Sequence, residues 1–288
     1  MNPPHDEIVQ ANGVDLAVET FGDRGDPAIL LVMGSSASMD WWEDEFCARL
    51  AAGARFVIRY DHRDTGQSVS YQPGTASYTL GDLAADAAGL LDALGLARAH
   101  IVGMSMGGGI AQLLALAHPE RVASLTLIST STAGPGPDDP DLPPMSEESR
   151  AEFAAAAQPD WSDRAAVIDY LVHLARVSAS PTRPFDEAGM RDLWGRVLDR
   201  TVNIESSVAN HAAIGGGERW RDQLGGLAAP TLVVHGTEDP VLPYDHGRVL
   251  AREIPGAELV TLEQTGHELP RRVWDVVIPA ILEHTSRS

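Results

Sequence analysis

The sequence predicts an α/β domain with a mostly parallel central sheet, helices on both faces and a block of helices inserted late in the chain. Short apolar runs such as Ala28–Val32 and Phe56–Tyr60 alternate with segments of helical periodicity. This alternation is typical of parallel strands that are covered on both faces. It stops after Ser129 and resumes at Thr231, with only helical patterns between them.

The elements follow from local signals along the chain. An antiparallel hairpin is expected first, because Asn12-Gly13 separates two extended runs and both residues tolerate positive φ. Apolar residues at helical spacing mark the second helix, and Gly95 stands where that helix should end. Strands are predicted at 28–32, 56–60, 99–103, 122–129, 231–234 and 257–262, and helices of the core at 42–52, 80–94, 105–118, 244–254 and 273–284.

The inserted block begins with a segment rich in Gly, Pro and Asp, 133–144, which predicts a linker. Four helices are expected after it, at 147–157, 164–177, 186–200 and 204–213. We therefore expect a core formed by 1–132 and 228–288, with a helical lid formed by 133–227. A lid of this kind should cover the carboxyl edge of the sheet, where doubly wound folds bind ligands.

Composition limits the chemistry. The 288-residue chain has 21 basic and 41 acidic residues, a net charge of −20, which argues against nucleic acid or an anionic membrane as a partner. All 21 basic residues are arginine, so a lysine Schiff base and a phosphate-loop NTPase are excluded. Cys47 is the single cysteine and is expected to be a small buried side chain, and no metal site is predicted. No apolar run has a membrane-spanning length and the first residues do not resemble a signal peptide, so a cytoplasmic location is expected.

The pentapeptide Gly103-Met-Ser105-Met-Gly107 matches the G-x-S-x-G pattern of a nucleophile turn. It follows a predicted strand directly and opens a predicted helix. A serine at this point sits on a sharp, strained turn that lifts its hydroxyl above the sheet, and the flanking glycines leave room for neighbouring chain. The N-terminus of the following helix offers N–H groups to a developing negative charge. Ser105 is therefore the predicted nucleophile.

A serine hydroxyl needs a base, and the base needs an orienting acid. In the chain order that goes with this turn, the acid comes second and the histidine last. Asp239 follows the predicted strand at 231–234, and His267 follows the one at 257–262. Both should lie at the carboxyl edge of the sheet beside Ser105. We predict His267 as the base and Asp239 as the acid that orients it.

Several residues compete with this assignment. Glu238 adjoins Asp239 but is expected to point elsewhere, and His235 lies within a predicted strand, where a packed or hydrogen-bonded side chain is expected. His62 is a closer rival, because its loop lies at the same edge of the sheet. Structural roles are also favoured for the remaining candidates, which are His5, His118, His246 and His284.

The loop after the first parallel strand, Met33–Ser36, should supply a second backbone donor for an oxyanion hole. We predict the N–H groups of Ser35 and Met106 as the two donors. Candidate substrate contacts are Ser36 and Trp41, beside this loop, and His211 in the lid.

Taken together, five motifs resemble those of the α/β-hydrolase superfamily over nearly the whole chain. They are Leu31-Val-Met-Gly34, Tyr60-Asp-His-Arg-Asp-Thr-Gly-Gln-Ser68, Gly103-Met-Ser-Met-Gly107, His235-Gly-Thr-Glu-Asp239 and Gly266-His267. The resemblance implies the α/β-hydrolase fold, a Ser-His-Asp triad and a small-molecule ester substrate, with no cofactor and no metal. The serine at position 105 disfavours haloalkane dehalogenases and epoxide hydrolases of this fold, which need an aspartate there.

The chain departs from most of these relatives at two places. Met33-Gly34 stands where most carry His-Gly, and Arg63-Asp64 stands where most carry Arg-Gly. Both variants occur in the aclacinomycin methylesterase group, which removes a methyl ester from an anthracycline polyketide, and 31–33, 60–66 and 281–285 look similar to that group. The triad spacing also resembles that of macrolide-inactivating esterases, which open a lactone.

These resemblances imply hydrolysis of a carboxylic ester, such as a methyl ester or lactone of a polyketide-like molecule, through an acyl-enzyme. The same triad could instead cleave a carbon–carbon bond in a diketone, hydrolyse a thioester or perform perhydrolysis. A ligand-binding receptor with slow turnover and an inactive interaction protein are further alternatives. The sequence leaves open whether the chain forms a homodimer.

Overall fold

A computed structural model describes residues 5–132, 139–214 and 219–287, with side chains from residue 7 onward. Eight strands form one sheet in the order β1-β2-β4-β3-β5-β6-β7-β8. The first two pairings, β1 with β2 and β2 with β4, are antiparallel, and the others are parallel. The strands are β1 His5–Ala11, β2 Val14–Phe21, β3 Ala28–Val32, β4 Phe56–Tyr60, β5 Ala99–Met104, β6 Val122–Ile128, β7 Thr231–Gly236 and β8 Glu258–Leu262.

Nine α-helices accompany this sheet in the described residues. Thr79 caps the N-terminus of the second helix with a capping box. Its side chain accepts from the N–H of Asp82, and the Asp82 side chain accepts from the N–H of Thr79. The helices are α1 Asp44–Ala52, α2 Leu80–Ala93, α3 Met106–Ala117, α4 Glu147–Ala155, α5 Arg164–Ser178, α6 Glu187–Arg200, α7 Ile204–Ala212, α8 Asp245–Glu253 and α9 Trp274–Ser286. The predicted fold class is confirmed.

Some predicted boundaries were wrong by a few residues. The first helix begins at Asp44, because Met39–Trp41 already form a short 3-10 turn before it. Strand β6 ends at Ile128, because Ser129 has a φ of 43°, outside the extended region. The predicted linker at 133–144 lies outside the described residues over 133–138.

Apolar side chains cover both faces of the sheet. On one face they come from α2, α3 and α8, and on the other from α1 and α9. Cys47 belongs to the second layer, where its Sγ lies 3.4 Å from the carbonyl oxygen of Trp42. Burial raises the pKa of this thiol to about 12. Cys47 is therefore packed inside the protein as a neutral thiol.

The four helices between β6 and β7, α4 to α7, we call the helical insertion. Three of them, α5, α6 and α7, share an apolar cluster that includes Leu171, Trp194 and Val197. Trp41, which precedes α1, packs against both this cluster and the second layer on the sheet. Polar contacts also join the insertion to the core at the carboxyl edge. Arg200 at the end of α6 donates to Asp61, 2.6 Å away, and to Asp40, 3.0 Å away. A buried carboxylate needs such a partner, so this ion pair ties the insertion to the loop after β4.

The start of α3 lies against the end of β3. A Cβ on Gly107 would collide with the backbone carbonyl oxygens of Val32 and Met33, and a Cβ on Gly103 would collide with the carbonyl of Gly107. No side chain can move aside here, since the opposing atoms are backbone. Both glycines are therefore required for the close approach of strand and helix.

We predict that Gly107→Ala lowers the free energy of unfolding by about 3 kcal/mol or more, because the added methyl forces the backbone apart. Gly225→Ala is the matched control, since a Cβ there meets nothing within 4 Å. Urea unfolding of both variants beside the wild type measures the difference. Equal stability of the two variants would contradict the close approach.

Candidate active site

Ser105 lies between β5 and α3, at the point where the strand order reverses, since β4 and β5 lie on opposite sides of β3. This is where doubly wound sheets bind ligands. Its φ of 53° and ψ of −121° are strained for a residue with a side chain. Backbone hydrogen bonds of Ser105 hold this turn. Its N–H donates to the Ile128 carbonyl at 2.9 Å. Its carbonyl accepts from the N–H of Gly108 at 2.8 Å and from Thr130 Oγ1 at 2.7 Å.

The structure brings Ser105, His267 and Asp239 into one hydrogen-bonded chain. His267 Nε2 lies 2.8 Å from Ser105 Oγ, and His267 Nδ1 lies 2.8 Å from Asp239 Oδ2. Because a carboxylate only accepts, Nδ1 carries the proton and Nε2 accepts from the serine hydroxyl. The loop of His267 is also braced by the insertion, since its N–H donates to the carbonyl of Ser178 at 2.8 Å.

Asp239 is held as a carboxylate. Burial opposes its ionisation, but the neighbouring His267 and His235 outweigh burial and keep its pKa well below the usual value. Its Oδ1 accepts from the N–H groups of Val241 and Leu242 at 3.0 and 2.8 Å. These two bonds hold the carboxylate in position while Oδ2 faces His267.

The competing residues have other partners. Glu238 accepts hydrogen bonds from the hydroxyls of Ser180 and Thr182, on the segment after α5. His235 Nε2 donates to the carbonyl of Leu242 at 2.8 Å and lies 3.5 Å from Asp239 Oδ2. His62 donates from Nε2 to the carbonyl of Met33 at 2.9 Å. None of these three residues contacts Ser105 through the hydrogen bonds of the described chain.

The segment Met33–Ser36, which we call the oxyanion loop after its predicted role, lies directly against Ser105. A Cβ on Gly34 would stand 3.2 Å from the Cβ of Ser105. Ser35 is exposed, and Ser36 is half-buried with a φ of 61°. Met106 is the first residue of α3, where helix geometry leaves the N–H without an intrahelical partner. The predicted oxyanion donors therefore flank Ser105, and their role stays a prediction.

His211 was predicted as a substrate contact, and the structure gives both of its ring nitrogens backbone partners. Nδ1 accepts from the N–H of Ser36 at 2.8 Å, and Nε2 donates to the carbonyl of Arg63 at 2.8 Å. Trp41 packs edge-on against Trp194 of α6, with ring centroids 5.2 Å apart. Contact of Ser36, Trp41 or His211 with a substrate stays a prediction.

The departure at Arg63-Asp64 has a structural reason. Asp64 has a φ of 66°, a conformation that aspartate tolerates better than most side chains. Its carboxylate accepts from the N–H of Tyr71 at 2.6 Å, the hydroxyl of Tyr78 at 2.8 Å and Nδ2 of Asn210 at 3.0 Å. Sequence reasoning missed this function of Asp64, although the absent glycine signalled it. The aspartate links the core to α7 of the insertion.

Two further observations concern the described ranges only. None of their helices is long and apolar enough to cross a membrane. They also contain no group of three or more His, Cys, Asp and Glu side chains placed to hold a metal ion.

Comparison with known proteins agrees with this geometry. A family model for the alpha/beta hydrolase fold matches residues 27–270. The protein therefore belongs to the α/β-hydrolase family. Rhodomycin D methylesterase DauP of Streptomyces sp. (strain C5) is 34% identical to it, over 96% of this chain and 97% of its own length. This relative confirms the resemblance to methylesterases.

Two other proteins show how widely the fold is used. A 2-hydroxy-6-oxononadienedioate/2-hydroxy-6-oxononatrienedioate hydrolase of Burkholderia vietnamiensis is 30% identical, over 90% of this chain and 87% of its own length. The esterase EaEST from Exiguobacterium antarcticum superposes with a TM-score of 0.79 at 22% identity, covering 98% of this chain and 100% of its own. This structural likeness shows the shared fold.

The buried histidine His62 should make stability fall in weak acid. Burial lowers its pKa to about 4, against about 6.5 in an unfolded chain. Below about pH 6.5 the unfolded chain takes up the proton first, so stability that is complete above this value is lost as the pH falls towards 4.

We therefore predict that lowering the pH from about 7.5 to about 5 costs the wild type about 2 kcal/mol more than it costs His62→Gln. Glutamine lacks the titrating ring but can still donate to the Met33 carbonyl. Urea unfolding at both pH values measures the difference. A parallel loss in both proteins would contradict a neutral, buried His62.

Proposed function

We propose that the protein is a serine hydrolase that cleaves a carboxylic ester through Ser105, His267 and Asp239. One observation carries the proposal: two hydrogen bonds of 2.8 Å join these three side chains in series at the carboxyl edge of the sheet. A hydroxyl, an imidazole and a carboxylate in this order are the groups that activate a serine for acyl transfer. The methylesterase relative supports the ester as the reacting bond.

In the first half-reaction, Ser105 Oγ attacks the ester carbonyl carbon while His267 Nε2 takes the hydroxyl proton. The carbonyl oxygen becomes an oxyanion, which the N–H groups of Ser35 and Met106 stabilise. The tetrahedral intermediate then collapses. His267 returns the proton to the leaving alkoxide, and the alcohol departs from an acyl-enzyme.

In the second half-reaction, a water molecule attacks the acyl-enzyme and His267 takes its proton. The second tetrahedral intermediate collapses, Ser105 regains the proton and the free acid leaves. Asp239 remains ionised throughout, holds the imidazole tautomer and stabilises the imidazolium. Its depressed pKa fits this task, because a carboxyl that stays charged offsets the positive ring.

For the substrate we propose a methyl ester or a lactone of a polyketide-like small molecule. The relative named rhodomycin D methylesterase covers almost the whole chain at 34% identity, and this similarity favours the methyl ester. The helical insertion is proposed as the lid of the site, because α6 and α7 dock on the loops that surround Ser105. Ser36 of the oxyanion loop and Trp41, which follows this loop in the core, are proposed as substrate contacts.

A second candidate is hydrolysis of a carbon–carbon bond next to a ketone. The Burkholderia relative, named as a dienedioate hydrolase, is 30% identical over 90% of the chain and supports this alternative. A panel of methyl esters, lactones, p-nitrophenyl esters and vinylogous diketones separates the two candidates. Turnover of the diketones alone would overturn the ester proposal.

We predict that Ser105→Ala lowers kcat for a p-nitrophenyl ester by roughly 10⁴-fold or more, because the acyl-enzyme cannot form. A fluorophosphonate probe should label the wild type at Ser105, as mapped by peptide mass spectrometry, and should not label the variant. Labelling at another serine, or residual activity near that of the wild type, would contradict the assignment of the nucleophile.

We predict that Asp239→Asn lowers kcat by about 10⁴-fold, because the amide no longer fixes the imidazole tautomer that accepts the serine proton. Glu238→Gln is the matched control, since the neighbouring carboxylate bonds to Ser180 and Thr182 instead. Its kcat should stay within about twofold of the wild type. Equal losses in the two variants would contradict the assigned acid.

A further inference from the structure

We propose that His211 is a positioning residue, which reaches from α7 of the helical insertion and holds the oxyanion loop in its productive geometry against Ser105. The inference rests on the proposed function, because it concerns the oxyanion hole of that site. It deepens that function by making the insertion part of the catalytic apparatus. In this arrangement His211 acts through the loop and does not need to touch the substrate.

The first argument is the position of the hydrogen bond. His211 Nδ1 accepts from the N–H of Ser36, 2.8 Å away, and the N–H of Ser35 just before it is the proposed oxyanion donor. The two N–H groups belong to adjacent peptide units. Fixing the Ser36 peptide therefore limits the directions in which the Ser35 N–H can point, because only the two backbone rotations at Ser35 separate the two planes. Sub-ångström placement of such a donor matters, because it must meet the oxyanion at hydrogen-bond distance.

The second argument is that the loop needs a holder. Ser36 has a φ of 61°, in the left-handed region that is unfavourable for a residue other than glycine. On the core side, His62 donates to the carbonyl of Met33 at 2.9 Å and so fixes the start of the loop. His211 fixes its end from the insertion side. Two histidines thus hold the loop at both ends.

The third argument is that the ring of His211 is held neutral and in one tautomer. The Ser36 N–H can only donate and the Arg63 carbonyl can only accept, so Nδ1 is unprotonated and Nε2 carries the hydrogen. Burial, with help from the nearby His62, lowers its pKa to about 4. The ring is therefore a neutral acceptor towards the loop at ordinary pH. A protonated ring would have no lone pair for the Ser36 N–H.

Docking of α7 does not by itself explain this bond. Ser206, on the same helix, donates to the carbonyl of Tyr71 at 2.6 Å. Asn210 bonds to Asp64, to the carbonyl of Gln72 and to the N–H of Gly74. These contacts tie the helix to the loop after β4, whereas the bond from His211 reaches the oxyanion loop.

Two conservative variants separate the two bonds of the imidazole. In His211→Asn, Oδ1 takes the place of Nδ1 and can still accept from Ser36. In His211→Gln, the amide nitrogen reaches the place of Nε2 and can still donate to Arg63, but the acceptor for Ser36 is gone. Ser206→Ala is the matched control, since it removes a docking bond of the same helix.

We expect His211→Gln to lower kcat by about 10²-fold with KM within about threefold, as for loss of an oxyanion donor. His211→Asn should stay within about fivefold of the wild type, and Ser206→Ala should keep its kcat even where its melting temperature falls. The affinity for an alkylboronic acid, which forms a tetrahedral adduct on Ser105, should fall in His211→Gln by a factor similar to the fall in kcat. If His211→Gln does not fold, His211→Leu replaces it, because leucine also lacks the acceptor.

Equal kcat values for His211→Gln, His211→Asn and Ser206→Ala would overturn the positioning role. Equal losses of kcat in His211→Asn and His211→Gln would also overturn it. Fluorophosphonate labelling separates this result from failure of the proposed function. A wild type that is labelled at Ser105 while the histidine variants behave alike refutes the inference and leaves the hydrolase standing. A folded wild type that neither hydrolyses esters nor is labelled at Ser105 refutes both.

Discussion

The left-handed turn at Ser105 exists because α3 begins in direct contact with the end of β3. With glycine at positions 103 and 107, strand, turn and helix come together without a side chain between them, and the backbone has little alternative to the strained conformation. The hydroxyl of Ser105 is therefore aimed by the core of the fold. His267 and Asp239 need only loops of suitable length at the neighbouring strand ends to meet it. The oxyanion loop also lies beside Ser105, because it follows directly from the end of β3.

The helical insertion braces these loops from outside the sheet. The Ser178 carbonyl holds the loop of His267, His211 contacts the oxyanion loop, and Arg200 reaches the buried Asp61. Trp41 adds an apolar contact to these polar ones, because it packs against the apolar cluster of the insertion. Buried polar groups are costly unless they are satisfied, and a displaced insertion would leave several of them unpaired. Docking is therefore favoured in the one register that satisfies these polar groups.

The fold class was predictable because its signals are local or periodic. The strands are recognisable by their apolar runs, and Ser105 is recognisable because a five-residue pattern lies between a strand and a helix. The positions of Asp239 and His267 followed from chain order and from where parallel strands end. The bonds of His211, Asn210 and Arg200 were not predicted, because their partners lie more than 130 positions away and leave no periodic trace. The end of β6 was misplaced for another reason, since the positive φ of Ser129 arises from the tertiary structure.

The reactivity of the buried Cys47 thiol can report local unfolding of the protein. A thiol reacts as the thiolate, and a group that is fully buried with a pKa of about 12 offers almost none at neutral pH. The chain contains no second cysteine to compete for a reagent. Modification of the native protein must therefore wait for α1 to separate from the sheet. When closing is faster than modification, the rate relative to an unstructured thiol gives the free energy of that opening. The rate of Cys47 modification, followed by mass spectrometry, would thus measure the local stability of the layer that α1 and α9 form on the sheet, without any introduced label.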